Sequence, residues 1–140
     1  MITSKKDEAE ALQVYMAFMD CYLNGDVKNY PTFFDADFHF VGTVTEEEFL
    51  TKEEATTFYE ATAAQFAGKL ELRNRNITTE PIGALVLIGE RCDGYFLAEG
   101  DWTFYSRFRM STLLQKKNDQ WKFIHQHISM PLSGEKEASL

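Results

Sequence analysis

The stretch Trp121-Lys122-Phe123-Ile124-His125-Gln126-His127-Ile128-Ser129-Met130-Pro131 decides the fold of this chain. It predicts a single β-strand, in which side chains alternate between two faces. One face is expected to carry Trp121, Phe123, His125, His127 and Ser129, and the other Lys122, Ile124, Gln126 and Ile128. Two histidines at i and i+2 therefore project to the same side of the strand, which is an unusual position for a polar pair.

This strand is the last of four long strand-like segments. They cover residues 70–79, 84–97, 102–117 and 120–130. Glu99-Gly100-Asp101 and Asn118-Asp119 are compact turns of the kind that join the two strands of a hairpin. The second half of the chain is thus expected to be an antiparallel meander. A parallel pair involving any of the last three strands would contradict this prediction.

The first half of the chain has the apolar spacing of helices. Helices are predicted over residues 7–24, 27–34 and 52–66, with a short strand over residues 38–43. Gly25 suits a left-handed cap after the first helix, and Thr51 begins a capping box for the third. Helices followed by antiparallel strands indicate the α+β class, with the helices packed on one face of the sheet.

Length and charge restrict the partners. The chain fits one domain over residues 1–132, and residues 133–140 are expected to be a disordered tail. The net charge of -8 argues against nucleic acid and anionic membranes, since both need a basic face. We interpret the acidic clusters Glu46-Glu47-Glu48 and Glu53-Glu54 as solvated surface. No signal segment follows Met1 and no run is long enough to cross a membrane, so a cytoplasmic location is expected.

No cofactor or metal is expected. Cys21 and Cys92 are far apart and fit no metal spacing, and we interpret both as small buried thiols. His125 and His127 share a face, but the spacing indicates no third ligand, and His39 is distant in sequence.

Two segments resemble the SnoaL-like branch of the NTF2-like superfamily. Asp37-Phe38-His39-Phe40-Val41-Gly42-Thr43 is similar to the family's first strand, an acidic residue followed by an apolar strand ending in glycine and threonine. The closing hairpin of these domains resembles Arg109, Ser111-Thr112-Leu113-Leu114, Asn118-Asp119, Trp121 and the run His127-x-Ser129-x-Pro131.

The run from His125 to Ser129 is also similar to the association domain of calcium/calmodulin-dependent protein kinase II, which oligomerises through this fold. The resemblance covers about residues 8–131. It implies three N-terminal helices packed on a strongly bent antiparallel sheet, a cone-shaped pocket, and dimers formed through the outer face of the sheet.

Alternation predicts which side chains line that pocket. The apolar set of the third long strand should face the helices, whereas Arg107 and Arg109 should point away. The expected lining is Tyr15, Met19, Phe40, Tyr59, Trp102, Phe104, Phe108, Met110 and Ile128, with Gln126 as its polar group. Thr112 and Ile128 stand where the kinase association domain carries arginines, so an anionic ligand is not indicated. Such walls suit an apolar or aromatic small molecule; alternatively, the rings fill the cone as core.

The outer face of the sheet carries the remaining candidates. Arg107, Arg109, His125, His127 and Ser129 are expected to serve structure or an interface. Together with Tyr105 and Phe123 they lie on a face that no helix remains to cover. Aromatic residues and arginine are enriched in interface cores, and lone domains seldom expose such a patch. The sequence therefore predicts a two-fold homodimer through this face.

Three functions remain as alternatives. The leading one is a dimeric small-molecule-binding domain without a catalytic motif. The second is a SnoaL-like cyclase or isomerase that uses a pocket Asp or His as general base, with Asp37 as the best carboxylate candidate, although its position also suits a strand start. The third is a pure oligomerisation module. A carboxylate or histidine projecting into the cavity, beside a neighbour able to shift its pKa, would separate the first two.

Overall fold

The computed structural model describes residues 3–132, which form three α-helices and one six-stranded sheet. The helices are α1 (Lys5–Asn24), α2 (Tyr30–Phe33), which continues a 3-10 turn over Val27–Asn29, and α3 (Lys52–Phe66). The strands are β1 (Phe34–Val41), β2 (Glu48–Phe49), β3 (Leu70–Ile82), β4 (Leu85–Ala98), β5 (Asp101–Lys117) and β6 (Gln120–Ser129). The predicted elements are confirmed in type and order, and only the two-residue strand β2 was not predicted. The predicted tail, residues 133–140, lies outside the described residues.

Caps fix the ends of the two long helices. The N–H of Asp7 donates to the Ser4 hydroxyl at 3.2 Å, and the N–H of Ser4 donates to the Asp7 carboxylate at 3.0 Å. Gly25 ends α1 in the left-handed conformation, with φ of 75°. The N–H of Glu54 donates to the Thr51 hydroxyl at 3.2 Å and begins α3. The cap predicted at Gly25 is confirmed, and so is the N-cap at Thr51. The Glu54 carboxylate, however, accepts from the N–H of Leu50 at 3.3 Å, so the second half of the predicted capping box is not formed.

The sheet is mixed, with the strand order β2-β1-β6-β5-β4-β3. Strands β3 to β6 form the predicted antiparallel meander. However, β1 pairs with β6 in parallel, with Phe40 opposite Gln126. The prediction of a wholly antiparallel sheet is wrong at this pair. The expectation that none of the last three strands has a parallel neighbour is also wrong, because β6 has one. The chain passes through β2, α3 and strands β3 to β5 between β1 and β6, and so long a connection permits parallel pairing, which a hairpin does not. The α+β class is confirmed.

An aromatic core fills the space between the helices and the sheet. Phe18, on α1, is 1% exposed and stands at its centre. Its ring centroid lies 4.9–5.8 Å from those of Tyr30, Phe34, Tyr59 and Phe123. Tilted and edge-on contacts at these distances are favourable for aromatic pairs. Aromatic residues make up 14% of the chain, and part of them therefore serves as core, as the alternative interpretation of the sequence expected.

A β-bulge in β5 exchanges the two faces of its first residues. The register between β4 and β5 shifts beside Tyr95. Because Tyr95 lies opposite Phe104, Tyr105 has no residue opposite it and is the extra residue of the bulge. Tyr105 is 53% exposed but belongs to the cavity wall, and its ring lies 4.7 Å from that of Phe96. Phe104 lies opposite Tyr95 and Trp102 lies opposite Leu97, and neither belongs to the cavity wall, so both are on the opposite face. The prediction that Trp102 and Phe104 face the helices is wrong, because it carried uninterrupted alternation across this bulge.

A second bulge, in β6, moves Phe123 into the core. Leu113 lies opposite His125, but the residue after Leu113 lies opposite Phe123, so that Ile124 is the extra residue. Phe123 has no exposed surface, and its prediction as an outer-face residue is wrong. His125 and His127, beyond the bulge, lie on the outer face.

The remaining sequence predictions concern the cysteines and the membrane. Cys92 is buried, as predicted, and this burial, together with the neighbouring Glu90 carboxylate, raises the pKa of its thiol to about 12. Cys21 is only partly buried. Within residues 3–132, no helix combines the length and the apolar character that a membrane span requires.

Candidate functional site

A cavity of about 480 Å³ lies between α1 and α3 on one side and the inner face of the sheet on the other. A volume of this order accommodates a drug-sized ligand. Nine of the lining residues are aromatic, and three are methionines. The aromatic residues are Phe18, Tyr22, Phe40, Phe58, Tyr59, Phe66, Phe96, Tyr105 and Phe108. The space between helices and sheet is thus partly filled as core and partly open.

Seven of the ten predicted pocket residues line this cavity. They are Met19, Phe40, Tyr59, Phe108, Met110, Gln126 and Ile128. Trp102 and Phe104 lie on the outer face because of the bulge in β5. Tyr15 is buried beside the cavity and is absent from its wall. Arg107 and Arg109 are exposed and point away from the cavity, in agreement with alternation along β5.

Gln126 supplies the polar group at the buried end of the cavity. The Tyr59 hydroxyl donates to its Oε1 atom, and its Nε2 atom donates to Thr112 Oγ1 at 3.0 Å. Gln126 and Thr112 have no exposed surface. Because each polar group is paired with another, the amide is held in one orientation. Gln126 was predicted from the sequence as a lining residue, but this pairing was not.

Glu47 lines the rim of the cavity and was missed by the sequence analysis, which assigned it to solvated surface. Its Oε1 atom accepts hydrogen bonds from the N–H of Thr43 at 2.8 Å and from the Thr43 hydroxyl at 3.4 Å. A Cβ atom on Gly42 would collide with the Glu47 side chain, so the glycine leaves the space that this side chain occupies. Its neighbours Glu46 and Glu48 are exposed. The available signal was Gly42-Thr43 at the end of the first strand, where the chain had to turn back.

Burial keeps the phenols of the cavity protonated. It raises the pKa of Tyr22, with further contributions from Tyr30 and the Glu47 carboxylate. It also raises the pKa of Tyr59 well above the usual value, and Glu47 contributes there too. Both phenols are therefore neutral hydrogen-bond donors at physiological pH. Among the described residues, no histidine, lysine or arginine lines the cavity, and Asp37 is exposed outside it.

A buried ion pair lies beside the cavity, under α1. The Arg75 Nε and Nη2 atoms donate to the two oxygens of Glu90 at 2.5 and 3.0 Å, and the Tyr15 hydroxyl donates to Glu90 Oε1 at 2.5 Å. The Glu90 side chain is fully buried, whereas that of Arg75 is 21% exposed. The bonds to Glu90 raise the pKa of Arg75, and burial followed by the Glu90 charge raises that of Tyr15. This network, unpredicted from the sequence, joins α1 to β3 and β4.

The central part of the outer face of the sheet carries Leu87, Arg91, Arg109, Leu113, His125 and His127. Leu87 lies opposite Leu113, and Arg91 lies opposite Arg109. The His125 ring lies 5.1 Å from that of His39. Burial, together with the neighbours His39 and His127, lowers the pKa of His125, so this ring is neutral at pH 7.

The other two predicted polar residues lie on the same face. Ser129 lies opposite Arg109. Arg107 forms an exposed ion pair with Asp93 at 3.4 Å. Within residues 3–132, no three His, Cys, Asp or Glu side chains are arranged to hold a metal ion.

Residues 11–133 match the SnoaL-like domain, and the chain belongs to this family. The matched region contains α1 from Ala11 onward and every later helix and strand, including all residues of the cavity wall. The resemblance indicated by the closing hairpin is therefore confirmed. The curated proteins include no significant match to this chain.

Solved structures with the same fold are distant in sequence. An NTF2-like protein of unknown function from Pseudomonas putida KT2440 has a TM-score of 0.80 and 19% identity, over 95% of this chain and 92% of its own. A proposed dehydratase of the NTF2-like family from Streptomyces avermitilis has a TM-score of 0.78 and 14% identity, over 91% and 98%. A proposed calcium/calmodulin-dependent protein kinase II association domain from Xanthomonas campestris has a TM-score of 0.67 and 14% identity, over 91% and 89%. At these identities the likeness establishes the NTF2-like fold alone.

Proposed function

We propose that this protein is a binding protein for an apolar or aromatic small molecule, which it holds in the cavity between the helices and the sheet. The observation that carries the proposal is an open volume of about 480 Å³ walled by nine aromatic rings and three methionines. Apolar walls with a few fixed polar groups are the common form of small-molecule sites. Methionine adapts its shape to an irregular partner.

The positions of the titratable groups favour binding over catalysis. A cyclase or isomerase that abstracts a proton needs a base aimed into the cavity. The histidines His39, His125 and His127 lie outside the cavity lining, as does Asp37. Among residues 3–132, Glu47 is the one carboxylate of the lining; it is only partly buried, and no histidine or second carboxylate of the lining accompanies it as an acid or base partner. The similar protein proposed as a dehydratase shares the fold at 14% identity, which gives no reason to assign dehydration here.

Binding is tested with N-phenyl-1-naphthylamine, a neutral apolar probe whose fluorescence rises when it leaves water. We expect saturable binding by the unmodified protein, and at least about tenfold weaker binding by Ile128→Trp, because the larger ring occupies the cavity. Ile82→Trp makes the same replacement at an exposed position outside the cavity and should bind like the unmodified protein. Absence of saturable binding, or equal binding by Ile128→Trp, would reject the proposal.

We also propose that the protein is a two-fold homodimer that assembles through the outer face. The buried positions of β4 and β5 lie on the inner face, which the helices cover. Leu87 and Leu113 alternate with these positions and lie on the other face, so no helix covers them. Arg91 and Arg109 lie directly opposite each other, an arrangement that is unfavourable for like charges. Among the described residues, no carboxylate forms an ion pair with either arginine. A second copy of the chain, whose net charge is -8, carries an excess of carboxylates with which they would pair. The similar Xanthomonas campestris protein is named as an association domain, which agrees with assembly.

Assembly is tested by light scattering at micromolar concentration. We expect the mass of a dimer, with at least about 1,200 Å² of buried interface, and a monomer for Leu113→Asp, because a carboxylate cannot be left dry in an apolar contact. The control Ala64→Asp adds the same charge on the exposed side of α3 and should stay dimeric. His127→Ala should weaken the dimer more than it weakens probe binding. A monomer mass for the unmodified protein would reject this proposal and leave the binding proposal untouched.

A further inference from the structure

We propose that the cavity selects ligands that carry a positive charge. The ligand class is an apolar or aromatic amine, whose ammonium group binds the Glu47 carboxylate while its apolar part lies among the rings. This inference rests on the proposed binding function and specifies its ligand.

The charges of the lining are of one sign. Glu47 is the single charged residue of the cavity wall among residues 3–132, and no lysine, arginine or histidine accompanies it. An anionic ligand would lose its hydration and gain no cationic partner, which is costly in an apolar site. A neutral ligand gains at most a hydrogen bond to the carboxylate and no attraction between opposite charges. A cation gains both the apolar contact and the attraction of an opposite charge.

Glu47 has capacity left for such a ligand. Its Oε1 atom accepts both hydrogen bonds from Thr43, which fix the direction of the carboxylate. Within the described part of the chain, Oε2 has no hydrogen-bond partner, and no lysine or arginine forms an ion pair with Glu47. A bond between an ammonium group and a carboxylate is stronger than a bond between neutral groups.

The aromatic rings of the cavity wall suit the same ligand. Tyr22 and Phe58 belong to the cavity wall together with Glu47, and an ammonium group over an aromatic face is attracted by the ring. Glu47 is partly buried and belongs to the cavity wall, so its carboxylate is accessible from the cavity. At the other end, Gln126 is already paired with Tyr59 and Thr112. The polar end of the ligand therefore belongs at the rim and its apolar end in the depth of the cavity.

The test compares three probes of the same shape: 2-naphthylmethylamine, which is a cation at pH 7, neutral 2-naphthylmethanol, and anionic 2-naphthoate. Calorimetry should give the highest affinity for the amine, a lower one for the alcohol and the lowest for the carboxylate. The affinities of the amine and the alcohol should differ about tenfold, which is the contribution of one partly screened charge-assisted hydrogen bond. In Glu47→Gln, which keeps an acceptor for Thr43, the amine should lose about tenfold, and the alcohol should change by less than about twofold. Glu48→Gln removes the same charge from an exposed neighbour and should leave all three affinities unchanged.

The outcomes separate this inference from the proposed function. If the alcohol or the carboxylate binds as tightly as the amine, or if Glu47→Gln and Glu48→Gln behave alike, the cation preference is rejected while the binding function stands. If none of the three probes binds and N-phenyl-1-naphthylamine also fails, the binding function itself is rejected. Glu47→Gln should unfold at the same temperature as the unmodified protein. An equal unfolding temperature shows that a loss of affinity is not caused by a loss of the fold.

Discussion

Replacing Phe123 with alanine is expected to lower the free energy of unfolding by about 3–5 kcal/mol, the usual cost of removing a buried ring. Phe123 has no exposed surface. Its ring centroid lies 4.9 Å from that of Phe18, 6.0 Å from that of Phe34 and 6.2 Å from that of Phe38. The alanine variant leaves a cavity bordered by α1, β1 and β6, which these rigid rings fill only in part. Urea denaturation followed by tryptophan fluorescence measures the loss.

The neighbouring residue provides the matched control. Ile124 is the extra residue of the bulge and is only partly buried, so Ile124→Ala should cost about 1 kcal/mol or less. Simple alternation along β6 would place Phe123 outside and Ile124 inside, and would predict the reverse order of the two costs. Equal or reversed losses would therefore contradict the position of the bulge.

Replacing Arg75 with alanine is expected to cost about 3–5 kcal/mol, because it leaves the Glu90 carboxylate buried without its charge partner. The Arg75 guanidinium makes two of the three hydrogen bonds that satisfy Glu90. The remaining donor, the Tyr15 hydroxyl, cannot neutralise a carboxylate that is closed to water. Urea denaturation again supplies the measurement.

Two further variants show whether burial is the cause. Arg73 forms an ion pair with Glu71 at 2.8 Å, but both side chains are more than a third exposed, so Arg73→Ala should cost about 1 kcal/mol or less. The double variant Arg75→Met, Glu90→Leu removes both charges and should be more stable than Arg75→Ala alone. If Arg73→Ala and Arg75→Ala cost the same, or if the double variant is the less stable one, the unpaired buried charge is not the reason.

Local sequence signals predicted the elements because each element is fixed by its own residues. The bounds of α3, the left-handed cap at Gly25 and the turn at Asn118-Asp119 all depend on neighbouring positions. The faces of β5 and β6 were predicted only as far as alternation continued. At Tyr105 and Ile124 a bulge adds one residue, and no pattern in the sequence marks either position. Every face assignment between the bulge and the nearer strand end is then reversed.

The candidate site was predicted where it depends on position within a strand and missed where it depends on tertiary contacts. Alternation predicts Phe108, Met110 and Gln126 correctly, because these residues lie on the side of each bulge where the predicted faces are unchanged. Glu47 does not, because three consecutive glutamates are typical of solvated surface, and only the return of the chain past Gly42 turns the middle one inward. The pairing of Glu90 with Arg75 likewise needs the register between β3 and β4, which a bulge after Arg73 shifts.

The parallel pairing of β1 with β6 has a consequence for the synthesis of the chain on the ribosome. Phe34 and Phe40 leave the exit tunnel long before Phe123 and Gln126, the residues they lie beside in the finished sheet. Until β6 has been translated, β1 and β5 each present an open edge, and Phe34 and Phe38 of β1 lack their contact with Phe123. Contacts so distant in sequence form slowly, so the domain folds around its final strand after most of it has been made. The nascent chain is thus in its most aggregation-prone state just before that strand emerges.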